Sequence, residues 1–299
     1  MKDNSMDFAC LTRRFAVAAL AVFGAAYLSA AHAGIVVTRE FRSAALDRNW
    51  SYAVYLPSGY DNSNLRYPVL YLLHGNGADL YEWVVKGRIQ PTADALIASG
   101  DIPPAVIVMP DAGTTWYVDR KEKMETAILQ DLIPDVEKSF RVLTQRDGRL
   151  IGGESMGGYG SLRFALKYPE MFRAAALLSP AIYNPEPPQN SSARRVGVFG
   201  TPDFDAAIWK SLNYPVLWDA YFAKKMPVPM YLNSGDDDDF YIEREVVQFY
   251  ELLRANKQPA ELRIVDGAHV WTVWDSTIGD AMKYIFGFAA RPAITPSAH

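Results

Sequence analysis

The chain has 299 residues, 30 basic and 34 acidic, with a formal net charge of −4 at pH 7 and a single cysteine. That balance disfavours nucleic acid or an anionic membrane surface as a partner, and one cysteine leaves no disulfide framework. Stability must therefore come from a hydrophobic core, which a chain of this length with 49% hydrophobic residues can build as one domain.

Residues 1–33 read as an export leader. Lys2, Arg13 and Arg14 precede the apolar run FAVAALAVFGAAYLSA, and Ala31-His32-Ala33 supplies a small-x-small cleavage signature. The run falls short of the ~20 residues of a membrane span, so a signal peptide is expected, with a secreted or periplasmic chain starting at Gly34 and no membrane association afterwards. Thr12-Arg13-Arg14-Phe15 loosely resembles a twin-arginine signal, and Sec export fits as well.

Beyond the leader, short apolar runs alternate with helical patterns. WSYAVYLP (50–57) alternates like an edge hairpin strand, whereas YPVLYLLHG (67–75) and PAVIVMPD (104–111) are continuous runs, as strands covered on both faces require. METAILQDLIPDVEKSF (124–140) has helical spacing despite Pro134. RLIGGES (149–155), AAALLSP (174–180), VPMYLNSGD (228–236) and AELRIVDGAH (260–269) follow as strands, with a helix from Trp271 to Phe286. The alternation predicts an α/β fold, a mostly parallel sheet with helices on both faces, whose ligands bind beyond the carboxyl ends of the strands.

At one such end stands Gly153-Glu154-Ser155-Met156-Gly157, a G-x-S-x-G pattern. RLIG supplies the strand, GGESMGG the turn and GYGSLRFALKY the helix, the context in which a strained turn presents a nucleophilic serine. Flanking glycines relieve clashes there, and the helix N-terminus offers free N–H groups to a developing oxyanion. A serine hydroxyl needs a base, usually histidine. Of the four histidines, His32 lies in the leader, His299 ends the chain and His74 precedes Ser155. His269, in DGAHVW, is left as the base. The acid should end a strand between them, where VPMYLNSGDDDDFY offers four aspartates. One would be buried against the imidazole and the others solvated, since adjacent buried carboxylates repel. A calcium loop is the rival reading, but the spacing departs from the EF-hand pattern.

The stretches YPVLYLLHGNGADLYEW, GGESMGGYGSLRFALKYPEMF, YLNSGDDDDFY and DGAHVWTVW resemble the esterase family of α/β-hydrolases. That family includes feruloyl and acetyl-xylan-type esterases, S-formylglutathione hydrolases, enterochelin esterases and mycolyltransferases. The likeness runs from about Val36 to Phe288. It implies an α/β-hydrolase fold and a serine hydrolase of carboxylic esters that needs neither cofactor nor metal. It also implies that the acid lies three residues after Gly235, at Asp238, with Asp237 and Asp239 as the alternatives. The oxyanion donors would be the N–H groups of Met156 and Asn76, with His74 positioning the loop. Asp266-Gly267-Ala268-His269 departs mildly from the family's G-G-x-H.

Trp83, Trp116 and Tyr117 sit on loops at strand ends and are expected to bind substrate, whereas Trp271 and Trp274 have the i, i+3 spacing of helix packing. The aromatic-rich segment 181–226 is either a cap over the site or a helical pair packed into the core. Hydroxycinnamoyl (feruloyl), acetyl or polyester substrates are expected, and export argues against S-formylglutathione. An acyltransferase, with an alcohol replacing water, and a non-catalytic binding protein on the same scaffold are the rival functions.

Overall fold

Among the described residues, eight strands form one sheet in the order β1-β2-β4-β3-β5-β6-β7-β8. They are β1 (Ile35–Ser43), β2 (Arg48–Leu56), β3 (Val69–Leu73), β4 (Val106–Pro110), β5 (Arg149–Glu154), β6 (Ala175–Leu178), β7 (Met230–Gly235) and β8 (Ala260–Val265). The computed structural model describes residues 33–294, so the expected leader at 1–33 lies, but for Ala33, outside the described residues. Strands β3 to β8 run parallel, while β1 and β2 are antiparallel additions at one edge.

The helices are α1 (Glu82–Val85), α2 (Ile89–Ser99), α3 (Met124–Ala127), α4 (Ile133–Ser139), α5 (Met156–Lys167), α6 (Ala206–Leu212), α7 (Trp218–Ala223), α8 (Ile242–Ala255) and α9 (Trp271–Phe286). Every residue of β3 and β4 is buried, because helices cover both faces of the sheet. Alternate side chains feed two separate layers. Val69, Tyr71 and Leu73 pack with α4, α5 and α8, whereas Leu70 and Leu72 pack with α2 and α9.

From β3 the chain passes through α1 and α2 to β4 on one side, and from β5 it passes through α5 to β6 on the other. The β3–β5 pair is therefore where the strand order reverses, and crevices for ligands open at the carboxyl ends of such a pair. His74-Gly75-Asn76 and Glu154-Ser155 stand there.

One local expectation is corrected. The stretch 50–57 lies within a hairpin, but the edge is β1, whose polar and charged residues (Thr38, Arg39, Glu40, Arg42) mask its alternation. With β1 and β4 on either side, β2 is buried throughout Tyr52–Tyr55. The stretch 124–140 is helical from Met124 to Ser139, as expected, with a π-helical turn at Ile128–Leu132 joining α3 to α4. That turn lets Pro134, which has no N–H to donate, sit in the first turn of α4.

Candidate functional site

Ser155 caps the N-terminus of α5 with φ 53° and ψ −115°, a conformation costly for a residue with a side chain. Neighbours hold it there. Its N–H donates to Leu178 O at 2.9 Å, and its carbonyl accepts from Ala181 N at 3.0 Å. Close packing also demands glycine on both sides, since a Cβ added at Gly153 or Gly157 would collide with the Leu73 carbonyl. The turn is thus pressed against the end of β3.

His269 Nε2 lies 2.9 Å from Ser155 Oγ, and its Nδ1 lies 2.7 Å from Asp238 Oδ2. With Nδ1–H donating to the carboxylate, Nε2 is free to accept from the serine hydroxyl. The imidazole is held edge-on between Phe240 and Trp274, at centroid distances of 4.8 and 4.9 Å. Trp274 is itself anchored through Nε1–H to Ser179 Oγ at 3.0 Å.

Of the four consecutive aspartates only Asp238 is buried, and only Asp238 reaches His269. Its Oδ1 accepts from Phe240 N at 2.9 Å. Its neighbours tie the turn to the histidine loop. Asp236 N–H donates to Val265 O and Asp237 N–H to Gly267 O, while Gly267 N–H donates back to Asp236 Oδ1 at 3.0 Å. The carboxylates of Asp236, Asp237 and Asp266 converge within 4.8 Å at this exposed junction.

His74 is 1% exposed and links the loops after β3 and β4. Ala112 N–H donates to Nε2 at 2.8 Å, which leaves Nδ1–H to donate to Gly75 O at 2.7 Å. Burial holds this imidazole below its usual pKa and hence neutral. Asn76 follows on the cleft wall, and Met156 is the first residue of α5. Neither of their N–H groups has an acceptor among the described residues.

A cleft of about 500 Å³ opens over Ser155 and His269. Trp116 lines it, though its side chain is only 1% exposed. Trp83 and Tyr117 do not: they are 1% and 0% exposed, turned inward because their polar atoms find partners there. Trp83 Nε1–H donates to Leu73 O, and Tyr117 OH to His74 O. Conversely Trp271 and Trp274, read as packing, form part of the wall, together with Phe240 and Glu154. Glu154 is fully buried and burial pushes its carboxyl up to about 8. The signal that could have found it is a charged residue directly before the serine, at the carboxyl end of a strand whose four preceding residues, Leu150 to Gly153, are uncharged.

Segment 181–226 contributes both to the cleft wall and to the core. Tyr183, Ser191 and Ser192 line the cleft, while Trp209 and Phe199 join Trp116 and Tyr159 in an aromatic cluster with centroid distances of 4.8 to 6.2 Å. Trp116 Nε1 and Asn76 Oδ1 are buried without a partner among the described residues.

Sheet order, reversal point and strained serine turn together define the α/β-hydrolase fold. The chain belongs to the family described as "Putative esterase", whose model matches residues 43–285. Over 143 residues it is 37% identical to an endo-1,4-beta-xylanase/feruloyl esterase of Xylanibacter ruminicola, a match spanning 44% of this chain and only 20% of that protein's length. An acetyl esterase of Caldicellulosiruptor saccharolyticus is 26% identical over 82% of this chain and 96% of its own. Among solved structures, a ferulic acid esterase superposes with a TM-score of 0.74 at 27% identity, covering 86% of this chain and 98% of the other.

Proposed function

We propose that the chain is an exported serine carboxylesterase. The reading is carried by one observation, the continuous Ser155–His269–Asp238 contact at 2.9 and 2.7 Å on a left-handed serine turn. In this mechanism Ser155 Oγ bonds to the ester carbonyl carbon as its proton passes to His269 Nε2. Asp238 fixes the imidazole tautomer and offsets the imidazolium charge. The oxyanion takes the free N–H groups of Asn76 and Met156. As the carbon–oxygen bond to the alcohol breaks, His269 returns the proton to the departing oxygen. Water, deprotonated by His269, then attacks the acyl-enzyme and releases the acid and Ser155. Every step uses groups of the chain, the substrate and water.

The aromatic wall of Trp116, Phe240, Trp271 and Trp274 favours an aryl acyl group such as a hydroxycinnamoyl ester, and relatives named as feruloyl and acetyl esterases support that class. Export rests on the pattern of residues 1–33 and would bring the enzyme to plant-wall or polymer esters.

The test is a hydrolysis panel of p-nitrophenyl esters of rising chain length, methyl ferulate, acetylated xylan and a polyester, run with and without an alcohol acceptor. Wild type should hydrolyse an ester, a fluorophosphonate should label Ser155 alone, and Ser155→Ala should lose both activity and label. A transferred acyl product in place of free acid would make the chain an acyltransferase.

A further inference from the structure

The carboxyl of Glu154 has no task in that mechanism. It ends β5 beside the nucleophile and is 2% exposed, yet it forms part of the cleft floor. A Cβ added at Gly75 would collide with both of its oxygens. The carboxyl therefore packs directly on the Cα of Gly75, the residue before Asn76.

The groups facing it come from three elements. Helix α1 contributes Glu82 and Lys86, which pair with each other at 3.0 Å. The loop after β4 contributes the buried Tyr117 phenol, bonded to His74 O, and Asp111 lies close to that phenol and to His74. From the end of β3 comes the neutral His74, and Ser155 and His269 share the cleft. No cation is bonded to Glu154 itself among the described residues.

We propose that Glu154 is a positioning residue for the oxyanion loop, supporting Gly75 as a neutral acid and, once ionised, opposing the oxyanion with a charge against the residue that precedes the Asn76 N–H. The proposal rests on the esterase reading above. A negative charge in a dry site acts strongly on a second one developing nearby. Burial pushes this carboxyl up to about 8, so the switch falls within the range of an assay. Turnover is then limited by the neutral fraction and drops about tenfold for each pH unit well above that value. The two α1 charges act on it in opposite senses: Glu82 favours the neutral form and Lys86 the anion.

The experiment is the kcat profile for p-nitrophenyl acetate from pH 5 to 10, blank-corrected, with samples returned to pH 7 to establish reversibility. Wild type should lose about tenfold between pH 7 and 9 and recover on return. Glu154→Gln should lose less than about twofold over the same interval, because it does not ionise. Glu82→Gln should move the alkaline limit to lower pH and Lys86→Met to higher pH. These two carry the test if Glu154→Gln does not fold. An unchanged alkaline limit in Glu154→Gln, no shift in the α1 variants, or a loss in wild type that does not reverse would overturn the proposal. Ser155→Ala keeps the outcomes separate: activity surviving in it sinks the esterase reading, whereas an inactive Ser155→Ala beside an unmoved alkaline limit sinks only the role of Glu154.

Discussion

Replacing Asp238 with asparagine should slow catalysis by about 10³- to 10⁴-fold while leaving the fold intact. The geometry says why. Phe240 N–H donates to Oδ1 and will keep the amide oxygen of Asn there, which turns the NH₂ toward His269 Nδ1. Nδ1 must then accept, the ring proton moves to Nε2, and Nε2 can no longer take a proton from Ser155. The lost charge adds to this. A carboxylate and an imidazolium with centres about 4 Å apart attract by ~4 kcal/mol at an effective dielectric constant of ~20, worth about 10³ in rate. Both routes lead to the same range. The assay is kcat/KM for an activated ester, with thermal melting recorded for each protein. Asp236→Asn, Asp237→Asn and Asp239→Asn are the controls and should stay within about threefold, since all three are exposed and screened. A folded Asp238→Asn within tenfold of wild type, or a larger loss at Asp237 or Asp239, would refute the assignment.

Gly157→Ala should cost both folding yield and activity, because its Cβ would strike the Leu73 carbonyl, and melting together with fluorophosphonate labelling will report it. Glu154 has a folded pKa raised from 4.5 to about 8, so the stability it lends is complete below about 4.5 and is lost as pH rises through 8. Glu154→Gln should therefore gain stability over wild type from pH 5 to 8, by a ceiling of about 5 kcal/mol, with no difference at pH 4 by denaturant unfolding. Trp271→Ala should raise KM for an aryl ester more than for an acetyl ester, since its ring lines the cleft. Protein recovered from a periplasmic or secreted fraction should begin at Gly34, which N-terminal sequencing reads directly.

Much of this was legible beforehand because it is written in local pattern. Buried strands appear as unbroken apolar runs, the serine turn as glycines at fixed offsets, and His269 stands out because so few histidines compete. The acid was not legible from local pattern, since four identical residues differ only in which one the turn after β7 points inward. That direction is set by backbone bonds from Asp236 and Asp237 to the β8 loop, more than 25 residues away. Only family resemblance supplied the register. Trp83 and Tyr117 were misplaced for a similar reason: a loop position says where the backbone runs, while a carbonyl elsewhere in the fold decided that their side chains turn inward.

The wall that bears Tyr183 is bolted to helix α5. Trp209 Nε1–H and Asn213 Nδ2–H both donate to Tyr183 O, at 3.2 and 2.7 Å, and Tyr159 OH and Arg163 both donate to Leu212 O. Helix α5 begins one residue after Ser155. Wall and serine turn are thus tied together by hydrogen bonds, and on the reading proposed above an arriving ester should meet a surface already formed. Association should therefore be a single step, with no lag before the first burst of alcohol and with an observed acylation rate that saturates along one hyperbola.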